Sequence, residues 1–276
     1  MWDALRRNLG RGFLFLYPFV LTGLLYKSQH LWSEWARDHL KIPVKVVEPW
    51  AFDRLYFGIE TPQGRLTPNE WWRQHTHWVL DLICGAFYLL FVAIFIFFSA
   101  LFARLNIGKG PQKDRLVAAL PWAFFWLNAL GYITYQFWPA APPWYVAQYG
   151  FGPVHHSVQA NPAGALAFDQ LLGVSFFQGM YGLSADVFGA VPSLHVAYPA
   201  LTLIVALRTG KYRIPCLLYF GGMVFSAVYL NHHYVFDAIW GTLYAGGVAQ
   251  LFVGPSPLVV PAFLETRKKV PRSLAR

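Results

Sequence analysis

The sequence predicts an all-α, polytopic membrane protein with six transmembrane helices, and three observations predict it. Of 276 residues, 56% are hydrophobic and 13% are charged, which is too apolar for a soluble domain. The apolar residues fall into runs long enough to cross a hydrocarbon core of ~30 Å. Lys and Arg gather beside those runs, and none lies between Arg115 and Arg208 or between Arg213 and Arg267. The net charge of +9 thus reports membrane orientation and not a nucleic-acid surface.

Residues 1–12 place Arg6, Arg7 and Arg11 among Trp2, Leu5 and Leu9, a pattern suited to an amphipathic segment on an anionic membrane surface. The first span runs from Phe13 to about His30, with Pro18 as a candidate kink. No small-residue cleavage site closes it, so it reads as a retained helix. Residues 31–76 form a long mixed connection expected to carry short interfacial helices. The run from about His77 to Ala103 is the clearest span and holds Asp81, a carboxylate open to a functional or an interfacial reading. Arg104, Lys109, Lys113 and Arg115 fill the next short connection, and a third span covers about Leu116 to Phe137.

Residues 138–190 make a second long connection, opened by a proline-rich aromatic stretch suited to the headgroup level. Within it, Leu166 to Phe177 is apolar enough for a lid or for packing over helix ends, and the sequence leaves both open. The fourth span starts at Pro192 and ends before Arg208, the fifth covers about Ile214 to Leu230, and the sixth starts near His233 and passes Val253. The tail over 265–276 is basic, with Arg267, Lys268, Lys269, Arg272 and Arg276. Cys84 and Cys216 sit in apolar runs and read as packing residues.

The charge asymmetry puts both termini and the connections after spans two and four in the cytoplasm. The connections at 31–76 and 138–190 then lie on the other side. On this topology the proline-rich stretch, the Val191-Pro192-Ser193-Leu194-His195 segment and the His232-His233-Tyr234-Val235-Phe236-Asp237 segment emerge at one membrane face.

The chemistry starts from His233 and Asp237. On a helix they share one face at i and i+4, so the carboxylate can accept from one ring nitrogen and leave the other free as nucleophile or base. A capping role at the interface would explain a lone histidine, but His195 opens a second apolar run. A zinc site from His155, His156, His232 and His233 has no recognised ligand spacing, and no metal or cofactor is expected.

Pro192-Ser193-Leu194-His195, followed by His233 and Asp237, resembles the second and third motifs of the type 2 phosphatidic acid phosphatase (PAP2) superfamily. Pro139-Ala140-Ala141-Pro142-Pro143-Trp144-Tyr145 is similar to its inositol phosphorylceramide synthase branch. The resemblance implies a PAP2-like helical core and three catalytic residues: His233 as nucleophile, Asp237 orienting it, and His195 as acid and then base. It also implies that Pro192, Ser193, His232, Trp144 and Tyr145 contact substrate, with Pro192 in a first helical turn whose amides hold phosphate.

Two features depart from the family pattern. The first motif's Lys and Arg-Pro have no counterpart, and the third motif has Ser226-Ala227 where Ser-Arg is usual. The cationic clamp for a phosphomonoester is thus largely missing; a helix N-terminus with His232, His155 or His156 is one candidate replacement for a phosphodiester, and Arg54, Arg65 and Arg73 of the first connection are another. The implied activity is transfer of a phospho-headgroup, with inositol phosphate expected, from a phospholipid to a lipid hydroxyl such as ceramide. The alternative is a lipid phosphatase acting on a phosphatidate or polyprenyl diphosphate. The implied location is a bacterial inner membrane with the site facing the periplasm, or a Golgi lumen in a eukaryote.

Overall fold

The computed structural model describes residues 2–62, 64–106, 111–182 and 186–252. The first helix, α1 (Trp2–His39), runs unbroken for 38 residues with Pro18 inside it. It fuses the segments expected at 1–12 and 13–30 and continues past His30. Polar residues after His30 mark a change of medium and not a helix end, because Glu34, Ala36 and Arg37 are good helix formers. The chain leaves α1 at Leu40 and takes a left-handed turn at Lys41, φ 50°.

The next connection carries α2 (Val47–Tyr56), strands β1 (Ile59–Thr61) and β2 (Gly64–Leu66), and α3 (Pro68–Gln74). The antiparallel hairpin, with Ile59 opposite Leu66, corrects the all-α expectation. Its β-branched Ile59 and Thr61 suit a strand better than another helical turn. A capping box opens α3: Glu70 N donates to Thr67 Oγ1 at 3.2 Å and Thr67 N donates to Glu70 Oε2 at 2.7 Å.

The remaining helices are α4 (Trp78–Asn106), α5 (Pro111–Phe137), α6 (Pro143–Tyr149), α7 (Leu166–Leu172), α8 (Phe176–Gly182), α9 (Leu194–Thr209), α10 (Arg213–Tyr229) and α11 (Val235–Phe252). Among the described residues one helical stretch, Trp78–Leu105, is long and apolar enough to cross a membrane by length and composition. By contrast α9 has 16 residues and rises only about 24 Å. Large apolar side chains are nevertheless exposed along the bundle's outside, among them Leu16, Val20, Leu90, Phe97, Ile214 and Leu218. Such a surface suits lipid.

The bundle is organised around α9, which packs on α11, α10, α4 and α5, while α1 packs on α5. Leu194, every residue from Val196 to Thr202, Val205 and Ala206 are buried, as expected of a helix enclosed on all sides. Gly241 lets α11 approach the start of α9, since a Cβ there would overlap the Ser193 carbonyl. The helices over the expected fourth and sixth spans begin at Leu194 and Val235, slightly later than the sequence implied. In the second connection Phe168 and Phe177 are buried, whereas Leu171, Leu172 and Phe176 are exposed. This stretch therefore packs over the helix ends with one face and presents an apolar face outward. Cys84 and Cys216 are buried free thiols. Lys109 and the basic tail over 265–276 lie outside the described residues.

Candidate active site

The site forms where α10 ends and α11 begins. Asn231 takes a left-handed conformation, φ 61°, and His232 N and His233 N both donate to the Ala227 carbonyl, at 3.1 and 3.0 Å. His233 thus precedes α11 and is not on it, which corrects the helical i, i+4 arrangement. The capping geometry restores the contact: Asp237 Oδ2 accepts from Tyr234 N at 2.9 Å and lies 3.3 Å from His233 Nδ1. The Ala190 carbonyl is nearer to that nitrogen, at 3.1 Å. Two acceptors facing Nδ1 assign the proton there and leave Nε2 with its lone pair.

His195, in the first turn of α9, brings its Nδ1 to 3.2 Å from His233 Nε2 and 3.1 Å from the Tyr88 hydroxyl. Its ring stacks on Tyr88 at 4.1 Å and lies against Phe91 at 4.4 Å. His232 stacks between Tyr88 and Tyr181 at 4.9 and 4.8 Å. Its Nε2 reaches the Pro162 carbonyl at 3.0 Å and its Nδ1 reaches the Tyr181 hydroxyl at 3.2 Å, the pattern of a neutral ring. Burial and the neighbouring His233 lower its pKa to about 3, so it supplies no charge to a phosphate.

That depression has a sign in stability. Between pH 3 and 6.5 the unfolded chain holds the proton and the folded chain does not, so stability rises with pH across this window and levels off above it. The limiting slope is about 1.4 kcal/mol per pH unit. Thermal unfolding at pH 7 and pH 5 is expected to show a smaller acid loss in His232→Gln than in the native protein. Equal losses would remove His232 as the source.

Contacts from the first connection hold this turn. Asp53 of α2 is fully buried and accepts from Val235 N at 2.7 Å and Phe236 N at 2.9 Å. Burial pushes its carboxyl up to about 7 despite those two bonds. Asn69 Nδ2 donates to the carbonyls of Val228 and His233 at 2.9 and 3.0 Å. In the proline-rich stretch, Trp144 N donates to the Asn231 carbonyl at 3.1 Å.

His195, His232, His233 and Trp144 line a cavity of about 570 Å³ whose other walls include Phe19, Tyr26, Phe91 and Phe124. Pro192, Ser193 and Tyr145 do not line it. Ser193 is the N-cap of α9, accepting from Val196 N at 3.4 Å. Pro192 thus stands before the helix and not in its first turn, and its carbonyl accepts from the Tyr135 hydroxyl at 2.9 Å. Tyr145 packs with Val46, Ala141 and Phe188, and its hydroxyl accepts from His155 N at 2.9 Å.

No Lys or Arg is among the described residues lining this cavity. Arg54 lies over the Trp50 ring at 4.9 Å, Arg65 pairs with Glu60 at 3.3 Å, and Arg73 lines a different cavity with Asp81. Asp81 itself accepts from the Tyr229 hydroxyl at 2.6 Å. Among the described residues no group of three or more His, Cys, Asp or Glu side chains is placed to hold a metal ion.

Sequence reasoning missed Tyr88, the Ala190 carbonyl, Asp53 and Asn69. A hydroxyl in the middle of the clearest apolar run was the available signal for Tyr88. The other three carried none.

The sequence pattern of the PAP2 superfamily matches residues 67–251. The chain is 35% identical over 231 residues to a phosphoinositol dihydroceramide synthase of Bacteroides thetaiotaomicron, covering 82% of this chain and 72% of that protein. It is 30% identical over 166 residues to an inositol phosphorylceramide synthase of Candida albicans, covering 60% of this chain but 34% of that protein. For the inositol phosphorylceramide synthase catalytic subunit of Schizosaccharomyces pombe the values are 31% over 169 residues, 60% and 38%. No solved structure matches.

Proposed function

The chain belongs to the PAP2 superfamily, and from that premise we propose a membrane phosphotransferase that moves inositol phosphate from phosphatidylinositol to the hydroxyl of a ceramide. The observation that carries the mechanism is the 3.2 Å contact between His233 Nε2 and His195 Nδ1, with the opposite nitrogen of His233 held by Ala190 and Asp237. A nucleophile and a proton donor thus face each other at the wall of an apolar chamber fit for lipid chains.

A hydrogen-bond length leaves no room for phosphorus between the rings, so donor entry parts them. His233 Nε2 then attacks phosphorus, the bond to the glycerol oxygen breaks, and His195 protonates that oxygen. After diacylglycerol leaves, His195 takes the proton of the ceramide hydroxyl, whose oxygen attacks phosphorus and frees His233. Asp237 stabilises the positive charge that develops on the His233 ring. The first-turn amides of α9 are the groups we assign to the phosphate oxygens, because a helix N-terminus favours anions. A phosphodiester is a monoanion, which suits a cavity wall without Lys or Arg better than the dianionic phosphomonoester of a lipid phosphatase.

We assign six spans to α1, α4, α5, α9, α10 and α11, with both termini cytoplasmic and the site facing the periplasm of a bacterial inner membrane. The ends of α9, α10 and α11 that bear His195 and His233 lie opposite those bearing Arg208 and Arg213, which supports this. Impermeant labelling of Gly152→Cys and Lys211→Cys in intact cells is expected to reach the first and spare the second. Labelling of both from outside would remove the topology.

The activity is tested by incubating the purified protein with phosphatidylinositol, with and without ceramide, and following products by mass spectrometry. Inositol phosphorylceramide that requires both lipids is expected. Faster hydrolysis of phosphatidate than transfer of any headgroup would favour the phosphatase.

A further inference from the structure

A second cavity, about 740 Å³, shares Tyr135, Tyr181 and Asp186 with the wall of the catalytic chamber. Its lining is of a different kind. Ser33, Arg37 and Lys41 reach it from the end of α1 and the turn beyond, Gln136 from the end of α5, and Gln159 and Asp186 from the second connection. The catalytic chamber runs from the histidines toward Phe19, Ile96 and Phe124, so the second cavity is the more polar of two that share part of one wall.

We propose that this second cavity is the headgroup site and binds the polyhydroxylated ring of the donor while the catalytic chamber holds lipid chains. The inference rests on the transferase reading above and adds to it the residues that select the headgroup. Asp186 is the centre of the site. Its Oδ1 accepts from Phe188 N at 3.1 Å, and its Oδ2 accepts from Ser33 Oγ at 3.2 Å and Gln136 Nε2 at 3.5 Å. Gln136 Nε2 also donates to Ser33 Oγ at 3.2 Å.

The bonds from Ser33 and Gln136 are long for their type, as suits a network that ring hydroxyls can displace. A carboxylate, an amide and a hydroxyl offer several acceptors within a small region, which matches adjacent hydroxyls on one ring. Arg37, Lys41 and Asp38 also line the cavity and add further donors and acceptors for ring hydroxyls.

The division also explains how one catalytic pair serves two lipids in succession. While phosphorus is bonded to His233, the ring stays in the polar cavity and holds the intermediate in register. Diacylglycerol can then leave the apolar chamber and ceramide enter without release of the headgroup.

The test uses the full-length protein in detergent with phosphatidylinositol and ceramide, separating the KM of each. Asp186→Asn and Gln136→Leu are expected to raise the KM for phosphatidylinositol about tenfold or more and to move the KM for ceramide less than twofold. Asp186 also anchors Phe188, so if its variant fails to fold, Gln136→Leu and Ser33→Ala decide. A native protein that transfers the headgroup, with folded variants whose two KM values rise together or not at all, overturns the headgroup site and leaves the transferase standing. A native protein that forms no inositol phosphorylceramide overturns the transferase itself.

Discussion

Replacing His233 with alanine is expected to abolish both turnover and any covalent phosphorylated enzyme, because every leaving group requires the same attacking nitrogen. His195→Ala is expected to behave differently. His195 acts by proton transfer, which typically contributes about 10²–10⁴-fold, and a nitrophenolate leaves without a proton. The His195 variant should lose nearly all activity on phosphatidylinositol while retaining single-turnover release from a nitrophenyl phosphodiester. Asp237→Asn should fall between them. The Ala190 carbonyl, 3.1 Å from His233 Nδ1, still favours the working tautomer, but the carboxylate charge is gone. Intact-protein mass spectrometry after rapid quenching reads the adduct. An adduct on His195, or one undiminished in His233→Ala, would reverse the two roles.

Asp53→Ala is expected to have the second largest effect, although Asp53 sits 180 positions before His233. Its carboxylate caps α11 through Val235 N and Phe236 N, and the chain leaves His233 two residues earlier. Loss of a helix cap costs about 0.5–2 kcal/mol. With two donors left unpaired beside a buried turn we expect the upper end, and the His233 ring should lose its fixed position. Melting temperature should fall, and kcat should fall more than KM rises, because the lipid-chain cavity is left in place. Asp53→Asn keeps one acceptor and should recover part of both. Native kcat and native melting temperature in Asp53→Ala would show that α11 is held without this cap.

The two predictions differ in how legible their residues are. His195, His233 and Asp237 stand out in the sequence because ionisable side chains at the mouths of apolar runs are expensive there, and their spacing carried the family resemblance. The helical bundle is legible for a related reason, since apolar run length and the positions of Lys and Arg are local properties that bilayer thickness constrains directly. Element boundaries were less so. Polarity locates the edge of a membrane and not the end of a helix, and α1 therefore continues to His39.

What the sequence by itself determined is the class of the chain; it also marked His195, His233 and Asp237, the residues proposed here as catalytic, each within a short local motif. The tertiary structure alone decided that Asp53 and Asn69 clamp the catalytic turn, that the Ala190 carbonyl shares the tautomer with Asp237, and that Tyr88 backs both His195 and His232. It also decided that Ser193 caps a helix and Tyr145 packs beneath the proline-rich stretch, where the sequence expected both at the substrate. The physical reason is that a hydrogen bond between residues 53 and 235 depends on how α2 docks against α11. No local periodicity, propensity or charge pattern records that docking.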